Sequence, residues 1–239
     1  MVVTKKVVIT NHTDKFIEWY HILTEYGYTK DDIIIYDRDH PGFNGENLDP
    51  KRFQKYGTVI KTPNVGYNIY TMGKFIVDNY ENLPDFVIFI KCNILQNLHT
   101  TEKNLKKALI ANYFFSIELN QSQTKYNSPF TINDYTYVEK VRSEEVVVNT
   151  KVYPRIKTFP DFINDLFIIE RIPDYTLFSP GANYVVPKEN ILKYSKNFYK
   201  KMMTYTDYHH TEVQEAHWFE RILFMAWEGS LDENFSYIV

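Results

Sequence analysis

The stretch PNVGYNIYTMGKFIVDNYENLPDFVIFIKCN, residues 63–93, contains a turn, a helix and a buried strand in direct succession. Gly66 suits the turn because glycine takes a positive φ at little cost. Apolar residues then recur at helical spacing through residues 67–80, and a leucine–proline pair ends the helix. The continuous apolar run 86–90 predicts a central strand of a sheet that is covered on both faces. This stretch therefore predicts an α/β fold.

Polar residues follow this strand at a position where open α/β sheets bind ligands. Lys91, Cys92 and Asn93 come directly after the apolar run, and ligands of such sheets lie beyond the carboxyl ends of the strands. The simpler interpretation is an ordinary structural helix–strand unit, which we expect for the interiors of both elements.

Two earlier apolar runs, residues 5–10 and 31–36, predict neighbouring strands. The second run ends in Asp37 and Asp39, and an acidic residue at that strand tip is typical of nucleotide-binding folds, where its carboxylate accepts hydrogen bonds from a ribose or a base. No glycine-rich loop follows the first strand, so the dinucleotide fingerprint is missing. The alternative is that these aspartates form a solvated turn paired with Arg38.

The other predicted elements complete a single domain over residues 1–239. They are a helix at 15–26 capped by Thr13 or Asp14, a strand at 58–62, a helix at 101–115, a helix or strand within 161–174, a turn into a strand at 179–186, and helices at 187–202 and 212–227. Residues 118–159 change in pattern and predict a small β-hairpin insertion, either a flap that faces a substrate or an ordinary edge hairpin.

Composition narrows the class of protein. The net charge of −3 gives no basic field for nucleic acid, and no apolar run approaches the ~20 residues that span a bilayer. One cysteine excludes an intrachain disulfide and a cysteine-based zinc motif. Because the first residues also lack a signal-peptide pattern, these features predict a cytoplasmic protein without a transmembrane segment.

The last predicted helix carries the most chemistry. Glu215 and Glu220 lie on it among aromatic residues, and loss of solvation there is expected to raise a carboxylate pKa toward the range of a general base. Pairing of either glutamate with His217 or Arg221 is the structural alternative. A metal site would need His209 and His210 together with Glu215 and His217, but their spacing matches no named zinc motif.

Three blocks of the chain resemble an uncharacterised family found in fungi and bacteria that is related to glycosyltransferases of the GT-A fold. The blocks are NVGYNIYTMGKFIVDNYENLPDFVIFIK, SPGANYVVPKENILKYSKNFYKKM and HWFERILFMAWEG. They occur in the same order and cover about half of the chain. The resemblance implies a GT-A-like, Rossmann-like mixed sheet flanked by helices, and an enzyme that uses a nucleotide-sugar donor and a glycan or oligosaccharide acceptor.

The resemblance also implies positions for the donor. Asp37 or Asp39 would contact the nucleobase or ribose. The residues expected to line the nucleotide-sugar site are Thr10, Asn11, His12, Asp37, Asp39, Asn64, Gly66, Lys91 and Asn93. A metal-binding Asp-x-Asp normally ends the strand that finishes here at Lys91-Cys92-Asn93, where no carboxylate stands. We therefore predict no metal ligand, with Lys91 neutralising the diphosphate, although a manganese or magnesium ion stays an open alternative.

The acceptor side follows from the later blocks. In inverting enzymes of this fold the base is an acidic residue at the start of a late helix, followed by aromatic residues and by an arginine six positions on. Glu215, Trp218 and Arg221 fit that pattern, so Glu215 is the predicted base and Glu220 the reserve, with Arg221 stabilising the diphosphate or anchoring Glu215. The predicted sugar and acceptor pocket consists of Ser179, Gly181, Ala182, Asn183 and Trp218.

Two other functions compete with a glycosyltransferase. A catalytically silent GT-A-like module could recognise glycans through the many tyrosines, of which the chain has 20. A metal-dependent hydrolase built on the late histidines ranks last. Thermal stabilisation by nucleotide sugars, with and without manganese, tests the transferase, glycan binding without turnover would favour the silent module, and the hydrolase would need a metal visible by elemental analysis.

Overall fold

The structure is a computed structural model, and it describes residues 3–38, 50–96, 100–117, 130–131, 159–168, 175–176, 181–207, 214–229 and 236–237. Its strands are β1 (Lys5–Asn11), β2 (Ile33–Arg38), β3 (Thr58–Thr62), β4 (Phe86–Lys91), β5 (Phe115–Ser116), β6 (Phe130–Thr131), β7 (Phe167–Ile168), β8 (Tyr175–Thr176), β9 (Tyr184–Pro187) and β10 (Ser236–Tyr237). The predicted α/β class and mixed sheet are confirmed.

Six strands form the central sheet in the order β3-β2-β1-β4-β9-β5. The strands β1 to β4 run parallel, whereas β9 pairs antiparallel with both β4 and β5. Short antiparallel pairs join β6 to β8 and β7 to β10. The parallel strands read as nearly continuous Val and Ile runs because helices cover both of their faces, an arrangement compatible with a Rossmann-like fold.

The helices divide between the two faces of the sheet. They are α1 (Phe16–Glu25), α2 (Tyr67–Asn79), α3 (Glu102–Ile110), α4 (Phe159–Leu166), α5 (Lys188–Ile191), α6 (Lys196–Thr206) and α7 (Gln214–Glu228). Val7 and Ile9 join the core against α1 and α3, whereas Val8 joins the core against α2, α4, α6 and α7. This alternation follows from the period of two residues along a strand.

Helices α2 and α6 approach each other at two glycines. Gly66 precedes α2 with φ +55°, as its predicted role in a turn requires, and an added Cβ would lie 2.5 Å from Thr206 Cβ. At Gly73 an added Cβ would lie 2.9 Å from Met203 Cγ. The absence of side chains at these two positions lets α2 pack against α6 and fixes where α2 begins.

Some predicted boundaries differ from the structure. The helix at 101–115 ends at Ile110, because Lys5 Nζ binds the carbonyls of Leu109 and Ala111 (3.2 and 2.8 Å) and the chain then extends into β5. The helix at 187–202 is two helices, since Ser195 caps a new one. Neither Thr13 nor Asp14 caps α1, where no side-chain cap bond forms. Nearly all of the 118–159 insertion lies outside the described residues.

Candidate functional site

The sheet has its switch point between β1 and β4. From β1 the chain adds β2 and β3 on one side, and β4 then pairs with the other side of β1. Open α/β sheets bind ligands in the crevice at the carboxyl ends of such strands. Here Thr10 pairs with Lys91, and the Cys92 amide donates to the Thr10 carbonyl at 3.0 Å.

Cys92 joins the ends of the two strands. Its buried Sγ lies 3.4 Å from the amide nitrogen of His12, 3.2 Å from Nδ1 of the same histidine and 3.3 Å from Thr13 Oγ1. The Cys92 carbonyl accepts a hydrogen bond from Trp19 Nε1 at 2.7 Å. These contacts fix the loop after β1, which includes the predicted donor residue His12, against the end of β4.

A polar cluster lies on the α1 side of the edge. Asn11 Nδ2 donates to Asp37 Oδ1 at 2.9 Å and to Asp14 Oδ1 at 3.1 Å, and Arg52 pairs with Asp14 at 2.6 Å. Burial raises the pKa of Asp37, the negative charge of Asp14 adds to that rise, and the Asn11 hydrogen bond and the charge of Arg52 oppose it. Asp37 is thus partnered by Asn11 rather than by Arg38.

The turn at residues 181–183 closes the other side of the crevice. Gly181 and Ala182 have φ of +90° and +49°, the second unusual for a residue with a side chain. Asn68 Nδ2 donates to the carbonyls of both, at 2.9 and 2.8 Å. Asn183 Oδ1 accepts a hydrogen bond from the Lys91 amide at 2.7 Å. The strained turn is therefore held from α2 and from β4.

Glu220 on α7 reaches the same turn. Its Oε1 accepts a short hydrogen bond from the Gly181 amide, and its Oε2 lies 3.7 Å from His217 Nδ1. Burial raises the pKa of Glu220, but the His217 hydrogen bond, the charge of Lys91 and the Gly181 amide outweigh it, so the pKa lies below its ordinary value. The predicted rise in the pKa of Glu220 is therefore wrong, because burial brings hydrogen-bond donors and a cation as well as apolar rings.

The other predicted residues of α7 lie on different flanks of the helix. Glu215 precedes Glu220 by five residues, which places it about 140° around the helix axis, and it is 2% exposed. Trp218 is 1% exposed and its ring centroid lies 5.2 Å from that of Phe162, so the core encloses it. Arg221 Nη1 donates to the His217 carbonyl at 3.1 Å.

The turn before α2 borders the crevice at β2. Asn64 is half-buried and Gly66 is buried, and the Val65 carbonyl between them accepts a hydrogen bond from Arg38 Nη2 at 3.3 Å. Asn93 Oδ1 is buried after β4 without a hydrogen-bond partner in the described part of the chain. Predicted residues outside the described ranges are Asp39, Ser179, His209 and His210.

The described side chains at this edge do not fit a manganese or magnesium ion. Such ions prefer several carboxylate or carbonyl oxygens, but the end of β4 offers an ammonium, a thiol and an amide. Within the described ranges no group of three or more His, Cys, Asp and Glu side chains is arranged to hold a metal. The charge of Lys91 acts instead on Glu220, whose pKa it lowers.

Two residues of the site were missed by the sequence reasoning. Arg38 was considered only as a partner of the aspartates, yet it shares the period-two face of Tyr36, which turns its side chain toward α2. Asn68 is 3% exposed and interrupts the apolar stripe in the first turn of α2. A polar residue at a buried helical position was the available signal, since buried polar groups need partners.

The matched family spans this whole arrangement. A family model described as "Protein of unknown function (DUF3431)" matches residues 7–232. The chain belongs to this family. The DUF3431 match contains the crevice residues from Thr10 to Glu220, and its description names no activity. Comparisons with curated proteins and with solved structures give no match. None of the helices in the described ranges has the length and apolar character needed to cross a membrane.

Proposed function

We propose that this protein transfers a sugar from a nucleotide-sugar donor to a hydroxyl group of a glycan or other acceptor, with Glu220 as the general base. One observation carries the proposal: a carboxylate is held at the switch point of the sheet by the Gly181 amide and lies within the electrostatic reach of Lys91. A nucleophile-activating anion beside a cation is what displacement of a diphosphate requires.

Glu220 supplies the proton acceptor. Because its pKa lies below the ordinary value, the carboxylate is ionised at neutral pH. The acceptor oxygen attacks the anomeric carbon, its proton passes to Glu220, and the bond from the anomeric carbon to the diphosphate oxygen breaks. The nucleoside diphosphate leaves with the bonding electrons. Attack opposite the leaving group inverts the configuration at the anomeric carbon.

Lys91 acts on the leaving group in this proposal. Its backbone is fixed by the Asn183 side chain, and its half-buried side chain lies on the face of the sheet that α7 covers. An ammonium there offsets the charge that develops on the diphosphate. Asn11 lies one strand away and Asp37 two strands away, and they are the polar groups that a ribose or base would meet.

The location of the carboxylates decides which one is assigned as the base. Glu215 fits the sequence pattern of the related enzymes, but it is buried on a different flank of α7 from the crevice. Glu220 touches the turn that borders Lys91. The proposal therefore gives Glu220 the role that the sequence pattern gave to Glu215.

The test is turnover of nucleotide sugars by the wild type, Glu220→Gln, Glu215→Gln and Glu189→Gln, with release of nucleoside diphosphate as the readout. Glu189 is an exposed glutamate on α5 and serves as the matched control. Glu220→Gln keeps the side-chain shape and is expected to lower kcat by about 10²–10⁴-fold, as loss of a general base does. The melting temperature should still rise with donor.

Three outcomes would contradict parts of this proposal. Loss of turnover in Glu215→Gln alone would return the base to Glu215. Stabilisation by donors without turnover in the wild type would favour a silent binding module. A panel of nucleotide sugars that leaves the melting temperature unchanged, with and without manganese, would remove the proposed substrate class.

A further inference from the structure

Arg38 ends β2 with its side chain on the same face of the sheet as Lys91. The register pairs Tyr36 with Thr10 and Thr10 with Lys91, and Arg38 follows Tyr36 by two residues. Side chains two residues apart on a strand share a face. Arg38 and Lys91 therefore flank β1 on one side of the sheet at the switch point, with Cα atoms about 12 Å apart across two strand spacings and two residues of stagger.

The guanidinium of Arg38 is buried with few partners. The residue is 9% exposed, and Nη2 donates to the Val65 carbonyl at 3.3 Å. Its Nε is buried without a hydrogen-bond partner among the described residues. The groups that favour its charged form are the side chains of Cys92 and Tyr67, and within the described ranges no carboxylate pairs with it.

A buried cation without a counter-ion is costly for a folded chain. Buried charges normally pair with an opposite charge or with several hydrogen-bond partners. Burial lowers the pKa of Arg38 to about 10, so the side chain still carries its charge at neutral pH. Arg52 provides the contrast in the same region, because its guanidinium pairs with the Asp14 carboxylate at 2.6 Å.

We propose that Arg38 is an anion receptor, which binds a phosphoryl group at the β1–β4 switch point through its guanidinium, with Lys91 as the second cation. A planar guanidinium offers parallel N–H groups that match two phosphoryl oxygens. Two cations on one face suit a diphosphate. The evidence for the anion site is the burial of Arg38 and the partners of its guanidinium. The identification of its ligand as the diphosphate of a nucleotide sugar rests on the proposed function.

Binding of inorganic pyrophosphate to the full chain, measured by calorimetry, tests the receptor directly. The variants are Arg38→Gln, Arg38→Lys and Arg52→Gln, and the control is Lys106→Gln, which removes a cation on α3 away from the crevice. Loss of a charge-assisted contact is expected to weaken pyrophosphate binding by about 10- to 100-fold in Arg38→Gln. The affinity of Arg38→Lys, which keeps a point charge, should lie between those of Arg38→Gln and the wild type, and the affinity of Lys106→Gln should stay within about twofold of the wild type.

The melting temperature in the absence of anion distinguishes an anion-binding role of Arg38 from a purely structural role. Removing a buried charge that pairs with no described carboxylate relieves its desolvation, so Arg38→Gln should melt no lower than the wild type. Arg52→Gln loses an ion pair and should melt lower. If Arg38→Gln fails to fold or melts well below Arg52→Gln, Arg38 serves to hold the Val65 turn in place and the inference is overturned.

The same measurements keep this inference apart from the proposed function. Pyrophosphate binding that is lost in Arg38→Gln, in a chain that turns over no nucleotide sugar, leaves the anion receptor standing and removes the transferase. Wild-type turnover that persists unchanged in Arg38→Gln leaves the transferase standing and overturns the receptor. Absence of pyrophosphate binding by the wild type also overturns it.

Discussion

Replacing Gly66 with alanine places a methyl group between the start of α2 and the end of α6. Gly66 has φ +55°, and its added Cβ would lie 2.5 Å from Thr206 Cβ and closer still to the Thr206 carbonyl oxygen. The same added Cβ would lie 2.9 Å from Tyr70 Cβ. None of these atoms is the far end of a flexible side chain, so the overlap is relieved only by a shift of α2 against α6.

The expected loss in the free energy of unfolding has two parts, which a comparison with a second glycine, Gly27, can separate. A left-handed backbone at a residue with a Cβ costs roughly 1–2 kcal/mol, and overpacking of a tight contact costs roughly 1–3 kcal/mol more. Gly27 has φ +82° with no atom within 4 Å of an added Cβ. Gly27→Ala should therefore show the backbone part alone, and Gly66→Ala both parts.

The free energy of unfolding of the two variants, from urea titrations followed by tryptophan fluorescence, measures that difference directly. We expect Gly66→Ala to be less stable than Gly27→Ala by roughly 1–3 kcal/mol, which corresponds to a melting temperature lower by about 2–12 °C for a chain of this size. Equal losses in the two variants would refute the close approach of α2 and α6 on which the position of the Val65 turn depends.

Two further predictions concern charge. Because the folded state lowers the pKa of Glu220 below its ordinary value of 4.5, its carboxylate stabilises the fold above that pH, and the contribution disappears as the pH falls through the folded-state pKa. The free energy of unfolding of Glu220→Gln should therefore decline less between about pH 5 and about pH 3 than that of the wild type. Parallel curves for the two proteins would contradict this. Burial raises the pKa of Asp37, so its ionised form destabilises the fold at neutral pH. Asp37→Asn can still accept the Asn11 hydrogen bond, and we expect it to melt at the same or a higher temperature than the wild type and to bind nucleotide more weakly. A lower melting temperature would count against this prediction.

Local patterns predicted the scaffold of this protein well. The turn at Gly66, the helix that follows it and the strand Phe86–Lys91 are all present in the structure. Each depends on neighbours in sequence: glycine tolerates positive φ, apolar spacing marks one helix face, and an apolar run marks a strand buried on both sides. Membership of an uncharacterised family, predicted from those same blocks, agrees with the DUF3431 match.

Boundaries were less predictable where distant residues decide them. The helix α3 stops at Ile110 because Lys5, more than a hundred positions earlier, binds the carbonyls at its end. Apolar residues continue beyond that point, so their spacing alone extends the helix. The direction of the pKa of Glu220 was predicted wrongly for a mixed reason. The His217 hydrogen bond, the largest of the effects that lower it, is local and agrees with the pairing given as the structural alternative, whereas Lys91 and the Gly181 amide come from other parts of the chain.

The sequence by itself determined which segments are strands and helices and which face of each is apolar, because those properties depend on residues a few positions apart. Only the tertiary structure decided which polar side chains meet. Pairing β4 beside β1 brings Cys92 to His12, the docking of α7 brings Glu220 rather than Glu215 to the Gly181 amide, and the Val65 turn packs on Arg38, which pairs with no carboxylate of the described ranges. These contacts join residues tens of positions apart, and their partners depend on strand order and helix docking, which no local pattern specifies.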